Sequence, residues 1–470
     1  MKSKRFRKTL YILLLSFAVI ILAFASIYLI NIYNIDQSYY QVYNTKDKVA
    51  LRKFPYPYKA ALTISSDIDG TTTKEEFLEI QKFLNTKEET SMGKGVGLEI
   101  GNSFVMYAPP TFAFSYFSGN PGNAQIIEKF IRAGYIDFLH SYGEKTDFTR
   151  KDAIKAIKEL SDNQYKVDVW VDHAKTPDNL GDDRTFGLGD HPESTAYHSD
   201  LTLAYGIKFV WLGRVTTVIG QSVPITLKTF FSVYDSRHPV DSLKNMVKEF
   251  AKNVLAVFGN KKYAMHKSYD LVRIAKLDDG QKVYEFLRFD NYWKGVAEGA
   301  TSKRLAYVIS KRTLDRLKKV NGYMIVYTHL GKNSDSSQVI AKETQIALRD
   351  LASEYERGNI YITTTSKLLN YYVNHKYLNW SYKTKDNEII ITITGVEDPV
   401  FGSFVPTIQD LQGITFYVPD KDKTRIYIND KEIVNIQRNP PDHRARESIT
   451  IKKVTGAFKK NKKGDRYFFW

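Results

Sequence analysis

Asp67 and Asp69 stand one residue apart in Ser65-Ser66-Asp67-Ile68-Asp69-Gly70. The apolar run before them, residues 60–64, reads as a strand that runs into this loop. A strand that delivers two carboxylates and a glycine is a common way to place a metal site at the carboxyl edge of an α/β sheet. An Asp/Gly-rich turn without a ligand is the alternative.

Other strand ends carry the same chemistry. A strand over 135–139 leads into His140-Ser141-Tyr142-Gly143-Glu144. One over 167–171 leads into Asp172 and His173, and one over 323–327 into Thr328 and His329. Tyr197-His198-Ser199-Asp200 precedes a strand over 207–212. The chain has nine histidines, and four of them fall in these places, so the joint pattern says more than any one residue. Singly, each imidazole reads as a hydrogen-bonded core group and Glu144 as a helix-start carboxylate. Together they form a donor set suited to zinc or another divalent cation.

The elements that must position these residues alternate. From residue 59 to about 373, strand-like runs are separated by helical patterns at 74–83, 124–133, 150–160, 199–205, 311–319, 337–355 and 365–373. That order predicts an α/β fold, a parallel sheet or barrel with crossover helices. Residues 215–310 are less regular and read as an insertion. Beyond residue 378 short strand-like runs sit between turn signals, which predicts a small all-β, sandwich-like C-terminal module over 378–455. A basic aromatic tail, 456–470, ends the chain.

Composition narrows the function. Of 470 residues, 43% are apolar and 26% charged, as in a globular protein with a core. The absence of cysteine excludes disulfides, thiolate metal sites and a cysteine nucleophile. The net charge of +16 lies mostly in the two ends, and the remaining body is too weakly basic to imply nucleic acid. Residues 10–33 carry no charge and follow Lys2, Lys4, Arg5, Arg7 and Lys8. This predicts a transmembrane anchor with the body outside the cytoplasm, a single-pass protein of the cell membrane. A signal peptide cleaved near Ala23-Phe24-Ala25, giving a secreted protein, is the competing reading. Residues 34–58 read as an extended linker.

At these residues the chain resembles the polysaccharide deacetylase family. Its opening motif, a strand ending in Thr-Phe-Asp-Asp-Gly, is similar to Thr63-Ile64-Ser65-Ser66-Asp67-Ile68-Asp69-Gly70. Its second, His-Ser/Thr-x-x-His after Ala-Gly and a short strand, is similar to His140–Glu144 after Ala133-Gly134. A late strand ending in histidine matches Ile325-Val326-Tyr327-Thr328-His329. The resemblance covers about residues 59–373. It implies a distorted (β/α) barrel, one divalent metal, usually zinc, and removal of N- or O-linked acetyl groups from a polysaccharide outside the cytoplasm. Carried over, Asp67 is the base, His329 the general acid, and Asp69 and His140 are metal ligands. Two departures stand out: Ile68 separates the aspartates, and Glu144 replaces the second metal histidine. Glu144, His173 or His198 would complete the metal shell. Tyr142, Trp170 and Trp211 are candidates for sugar stacking, and Asp172 for orienting His173 or His329.

Three rivals remain. Asp67-Ile68-Asp69-Gly70-Thr71 also resembles the first motif of haloacid dehalogenase-like phosphatases, but Ser194 stands where the later acidic motif, begun at Gly189-Asp190, needs its second acid. A glycosyltransferase would need nucleotide-binding strands before Asp67. A non-catalytic carbohydrate-binding or assembly protein on the same scaffold predicts neither metal nor turnover.

Overall fold

The computed structural model describes residues 25–26, 28–33, 48–118, 120–173, 175–181, 187–292, 300–333 and 338–452. The main sheet has eleven strands. Its centre is Ala60–Ser66, paired in parallel with Tyr323–Thr328, Asn102–Phe104 and Ile360–Ile362. From Asn102–Phe104 the order runs outward through Ile136–His140, Val169–Val171, Phe209–Trp211, Lys282–Phe286 and Val272–Lys276. On the other side Tyr323–Thr328 is followed by Arg288–Phe289 and Val215–Thr216. Only the Val272–Lys276/Lys282–Phe286 pair is antiparallel.

The order explains the shape. Phe209–Trp211 pairs with Lys282–Phe286 at one end of the sheet, and their continuations, Val215–Thr216 and Arg288–Phe289, pair at the other. Two chain segments thus tie both ends together and curl the sheet on itself, consistent with a distorted barrel. The stretch 215–310, expected as an irregular insertion, therefore supplies strands to the sheet. Its strands are two to five residues long and leave almost no periodicity to read.

Side-chain alternation sorts the faces. Ala60, Leu62 and Ile64 pack outward with Met324 and Val326 against Phe83, Leu317 and Leu348 from the surrounding helices. Ala61, Phe138, Val169, Val171, Phe286, Ile325 and Tyr327 share the inner cluster. Two residues beyond Phe138, Val171, Phe286 and Tyr327 stand His140, His173, Arg288 and His329. The inward register is thus carried to the carboxyl ends of four strands.

The helices start where local chemistry allows. Thr73 Oγ1 accepts from Glu76 N (3.2 Å) at the start of Lys74–Asn85. Asp152 accepts from both Thr149 N and Oγ1 (2.9 Å each) at the start of Arg150–Asp162. Pro121–Ala133 ends at Gly134, whose φ of 75° gives the left-handed cap.

From Leu378 to Ile451 the described elements are strands, in two four-stranded sheets around Ile391, Ile414, Phe416 and Ile449. Leu378–Lys385 and Glu388–Val396 form a hairpin whose turn, Asp386-Asn387, has positive φ at both residues (50° and 65°). The sandwich-like module expected over 378–455 is not built from that segment alone. One sheet takes Ala50–Arg52 as its edge strand, and Tyr371 from helix Thr365–Lys376 joins the apolar cluster.

The linker reading of 34–58 is corrected for its second half. Arg52 Nε meets Asp442 Oδ2 at 3.0 Å, while its other nitrogens donate to the carbonyls of Phe54, Pro55, Pro57 and Tyr58. One buried guanidinium thus winds the chain into a fixed approach to the central strand.

The membrane reading is also corrected. Most of the apolar run 10–33, and the tail 456–470, lie outside the described residues. Among the described residues no helix is long and apolar enough to cross a membrane. Tyr28, in the described helical residues 28–33, is buried and donates to Asn253 Oδ1 (2.6 Å). The transmembrane anchor, the membrane as partner and the single-pass cell-membrane location are withdrawn.

Candidate metal centre

The loop after the central strand is fixed by its backbone. Asp67 N donates to Thr328 O (2.9 Å), Ile68 N to Ser103 Oγ (2.7 Å), and Gly70 N to Phe112 O (3.0 Å). Ile68, the extra residue between the aspartates, is buried in the cluster of Phe77, Phe104 and Phe114. It anchors the loop while both carboxylates turn the other way. Gly70 has φ 84°, and a Cβ there would lie 2.8 Å from Lys332 Cγ, so this close turn requires glycine. Ser141, next to His140, is held at φ 45°, a left-handed conformation that non-glycine residues rarely adopt.

Asp69, His140 and His173 come together as a buried group whose donor atoms all lie within 4.8 Å of one another. His140 Nε2 is 3.2 Å from Asp69 Oδ1, and His173 Nε2 is 3.6 Å from Asp69 Oδ2. The two imidazoles meet edge to face, 4.7 Å between centroids. His329 Nε2 is 3.4 Å from Asp69 Oδ2, and Lys332 Nζ donates to the same oxygen (3.2 Å).

The hydrogen bonds decide what these rings present. His140 Nδ1 lies 3.3 Å from Val171 O, and His329 Nδ1 2.7 Å from Ala300 O. A carbonyl only accepts, so each ring carries a proton on Nδ1 and turns Nε2 inward. Each Nε2 faces a carboxylate oxygen, an arrangement that calls for a proton or a metal ion between them. Among the described residues, Asp69 Oδ1 and both ring nitrogens of His173 are buried without a hydrogen-bond partner. Unsatisfied buried donors of this kind fit a divalent cation with Asp69, His140 and His173 as its protein ligands.

Asp67 lies beside this group and is held differently. Its two oxygens accept from Arg288 Nη2 and Nη1, at 2.9 Å each. Arg288 is fully buried, donates also to Ser65 Oγ (2.7 Å), and packs its guanidinium 4.4 Å from the Trp211 ring and 4.9 Å from that of Tyr327. Burial would raise the Asp67 carboxyl, but the charges of Arg288, His140 and His329 hold it below its ordinary value. Asp69 is held well below it, burial being outweighed by the histidines, His140 first.

Several expected residues are elsewhere. His198 is a core histidine: Nδ1 meets Thr202 Oγ1 and Nε2 meets Asp178 O, both at 2.8 Å, and the ring packs on Tyr142, Phe148 and Trp170. Both of its nitrogens are used, so it is not a ligand. Glu144 is near enough to His173 to act on its charge, but it contributes no donor to the metal group. Asp172 orients neither His173 nor His329. Its Oδ1 accepts from Trp170 Nε1 and Leu180 N, at 2.9 Å each. Tyr142, Trp170 and Trp211 are buried and offer no face to a sugar.

Arg288 and Lys332 were missed by the sequence reading. The signal for Arg288 was present: an arginine inside Val283-Tyr284-Glu285-Phe286-Leu287-Arg288-Phe289, where a buried charge must have a partner.

No protein-family model matches the chain, and no curated protein matches it. Among solved structures it is similar to an endo-beta1,6-glucanase, at 8% identity and a TM-score of 0.30, over 82% of this chain and 90% of that one. A likeness that weak implies nothing about activity.

Proposed function

We propose that this protein is a metal-dependent hydrolase that removes acetyl groups, N- or O-linked, from a polysaccharide, on a distorted barrel of the polysaccharide deacetylase type. The observation that carries this reading is the pairing of a buried Asp69–His140–His173 group with a separate carboxylate, Asp67, that Arg288 keeps ionised. His173, from the next strand, takes the place left by Glu144.

A divalent cation such as zinc, held by Asp69, His140 and His173, would polarise an acyl carbonyl and lower the pKa of a water. Asp67 is the base: it is charged, and its Oδ2 lies 3.7 Å from His140 Nε2 at the edge of the metal group. Bidentate pairing with Arg288 fixes its direction and leaves a lone pair on each oxygen to receive a proton. His329 is the general acid. Ala300 O fixes its Nδ1 proton, and Nε2, 3.4 Å from the Tyr327 hydroxyl, is the atom that passes a proton to the departing amine or alkoxide. Lys332 bridges Asp69 to a cleft of about 390 Å³ lined also by Asn291, Tyr292, Arg304 and Tyr307. This cleft offers a polar, aromatic path for a glycan.

The test is acetate release by the zinc-loaded protein from a panel of N- and O-acetylated oligosaccharides, with Asp67→Asn as control. Release by the wild type, lost in the variant, is expected. Magnesium-dependent phosphate release without acetate release would overturn the reading in favour of a phosphatase.

A further inference from the structure

A second group of potential ligands lies on the loop that follows the strand Val169–Val171 and on the outer hairpin turn at Asp278. Asp190 is buried, with 1% of its side chain exposed. Its Oδ2 accepts from Asp278 N (2.9 Å), but its Oδ1 is buried and, among the described residues, makes no hydrogen bond. That oxygen faces His191 Nε2 at 3.9 Å, too far for a hydrogen bond, and His191 Nε2 is 3.3 Å from Asp278 Oδ2. All three donors lie within 4.8 Å of one another. Gly181 lies against the carboxyl: a Cβ there would come within 2.4 Å of Asp190 Oδ2. A buried carboxyl oxygen that faces an imidazole and a second carboxylate, without a hydrogen bond from any described residue, leaves a place for a cation.

The geometry points to a second divalent-cation site formed by Asp190, His191 and Asp278. One imidazole and two carboxylates suit a borderline metal such as zinc. His191 and Asp278 are 45% and 67% exposed, which leaves room for water to complete the shell.

The position gives this cation a structural task. Asp278 lies in the turn joining Val272–Lys276 to Lys282–Phe286, and Asp190 and His191 lie in the loop between Val171 and Ser199. That loop holds His173: Asn179 Oδ1 accepts from His173 N (2.7 Å), and Asn179 Nδ2 donates to His173 O (2.8 Å). Gly189 N in turn donates to Asn179 O (2.9 Å). A cation at Asp190 therefore staples the outer hairpin to the loop that sets a ligand of the first site. The inference rests on the loop's own geometry and not on the deacetylase reading.

The test is zinc counting on the full-length protein. After chelation, reloading with zinc and gel filtration, metal per chain is measured for the wild type, Asp69→Ala, and the double variant His191→Ala/Asp278→Ala. The double variant changes two partly exposed side chains, and circular dichroism checks its folding. It is expected to hold one zinc fewer than the wild type. In the Asp69→Ala background, added zinc is expected to raise the melting temperature, and the further double substitution is expected to abolish that rise. Equal zinc content in wild type and double variant, or a thermal shift that survives the double substitution, overturns the site.

Discussion

Arg288 and Asp67 form a buried bidentate ion pair across the closure of the curled sheet, each nitrogen–oxygen distance 2.9 Å. They are 221 residues apart in sequence, and neither side chain reaches solvent. The pair gives the proposed base a fixed direction and a fixed charge, and it joins the strand that begins the site to the one that closes the sheet.

Removing Arg288 should therefore damage both stability and activity. Arg288→Leu leaves a buried carboxylate unpaired, at a cost of about 3–5 kcal/mol. The sign of the pH effect follows from the depressed Asp67 value. The pair's contribution is full above the ordinary carboxylate value of 3.8 and is lost as the pH falls through the lower folded value. In the variant only His140 and His329 oppose burial, so the Asp67 carboxyl moves up from its value in the wild type. The stability gap between wild type and variant should be larger at pH 7 than at pH 4, as read from urea midpoints. The acid limb of kcat/KM should move to higher pH. Arg288→Lys restores a charge without the two-pronged geometry and should recover only part of either loss.

The metal group makes a prediction that separates its members from their neighbours. Asp69→Ala and His173→Ala should each lose one equivalent of zinc and acetate release together. Glu144→Gln should keep both. His198→Ala should keep the zinc but lose about 3 kcal/mol of stability, because two hydrogen bonds and a packed ring are removed. Metal analysis and urea denaturation of the same four preparations check this. Full metal occupancy in Asp69→Ala would remove that residue from the shell.

Much of this site was legible because strand ends announce themselves. The central strand was expected over 60–64 and runs Ala60–Ser66; the late strand was expected over 323–327 and runs Tyr323–Thr328. Apolar runs bounded by polar loops specify such elements locally. His173 and His198 could not be told apart, because each is a histidine beside an α/β element. The difference is whether Thr202 Oγ1 and Asp178 O occupy the ring nitrogens, and only tertiary structure decides that. Arg288 was hidden for a related reason: its two-residue strand gains its identity from Val326 and Val215, far away in the chain. Ala50–Arg52 has the same character, its register set by Thr415–Tyr417.

Arg52 should prove as important to stability as any core residue. It is buried against Asp442 and four backbone carbonyls, so Arg52→Ala leaves a carboxylate and several acceptors short of donors. A loss of about 3–5 kcal/mol is expected. Arg52→Lys should recover little, since one ammonium cannot reach all of these acceptors. Urea denaturation followed by tryptophan fluorescence measures the loss. An unchanged midpoint would mean that the approach to the central strand does not depend on this residue.

His329 offers the sharpest division between holding a metal and moving a proton. Its Nε2 faces Asp69 and the Tyr327 hydroxyl, but it stands outside the Asp69–His140–His173 group. His329→Asn is smaller but places an amide nitrogen near the position of Nδ1, where it can still donate to Ala300 O, and it cannot deliver a proton. Zinc content should be unchanged, while kcat falls by about 10²–10⁴ with little change in KM. The loss should be smaller on an ester whose leaving group needs no protonation, such as an aryl acetate, than on an N-acetylated sugar. Measuring both substrates with the same metal-loaded preparation isolates the proton. An equal loss on both, or a loss of zinc, would make His329 a positioning residue and leave the departing group to be protonated elsewhere.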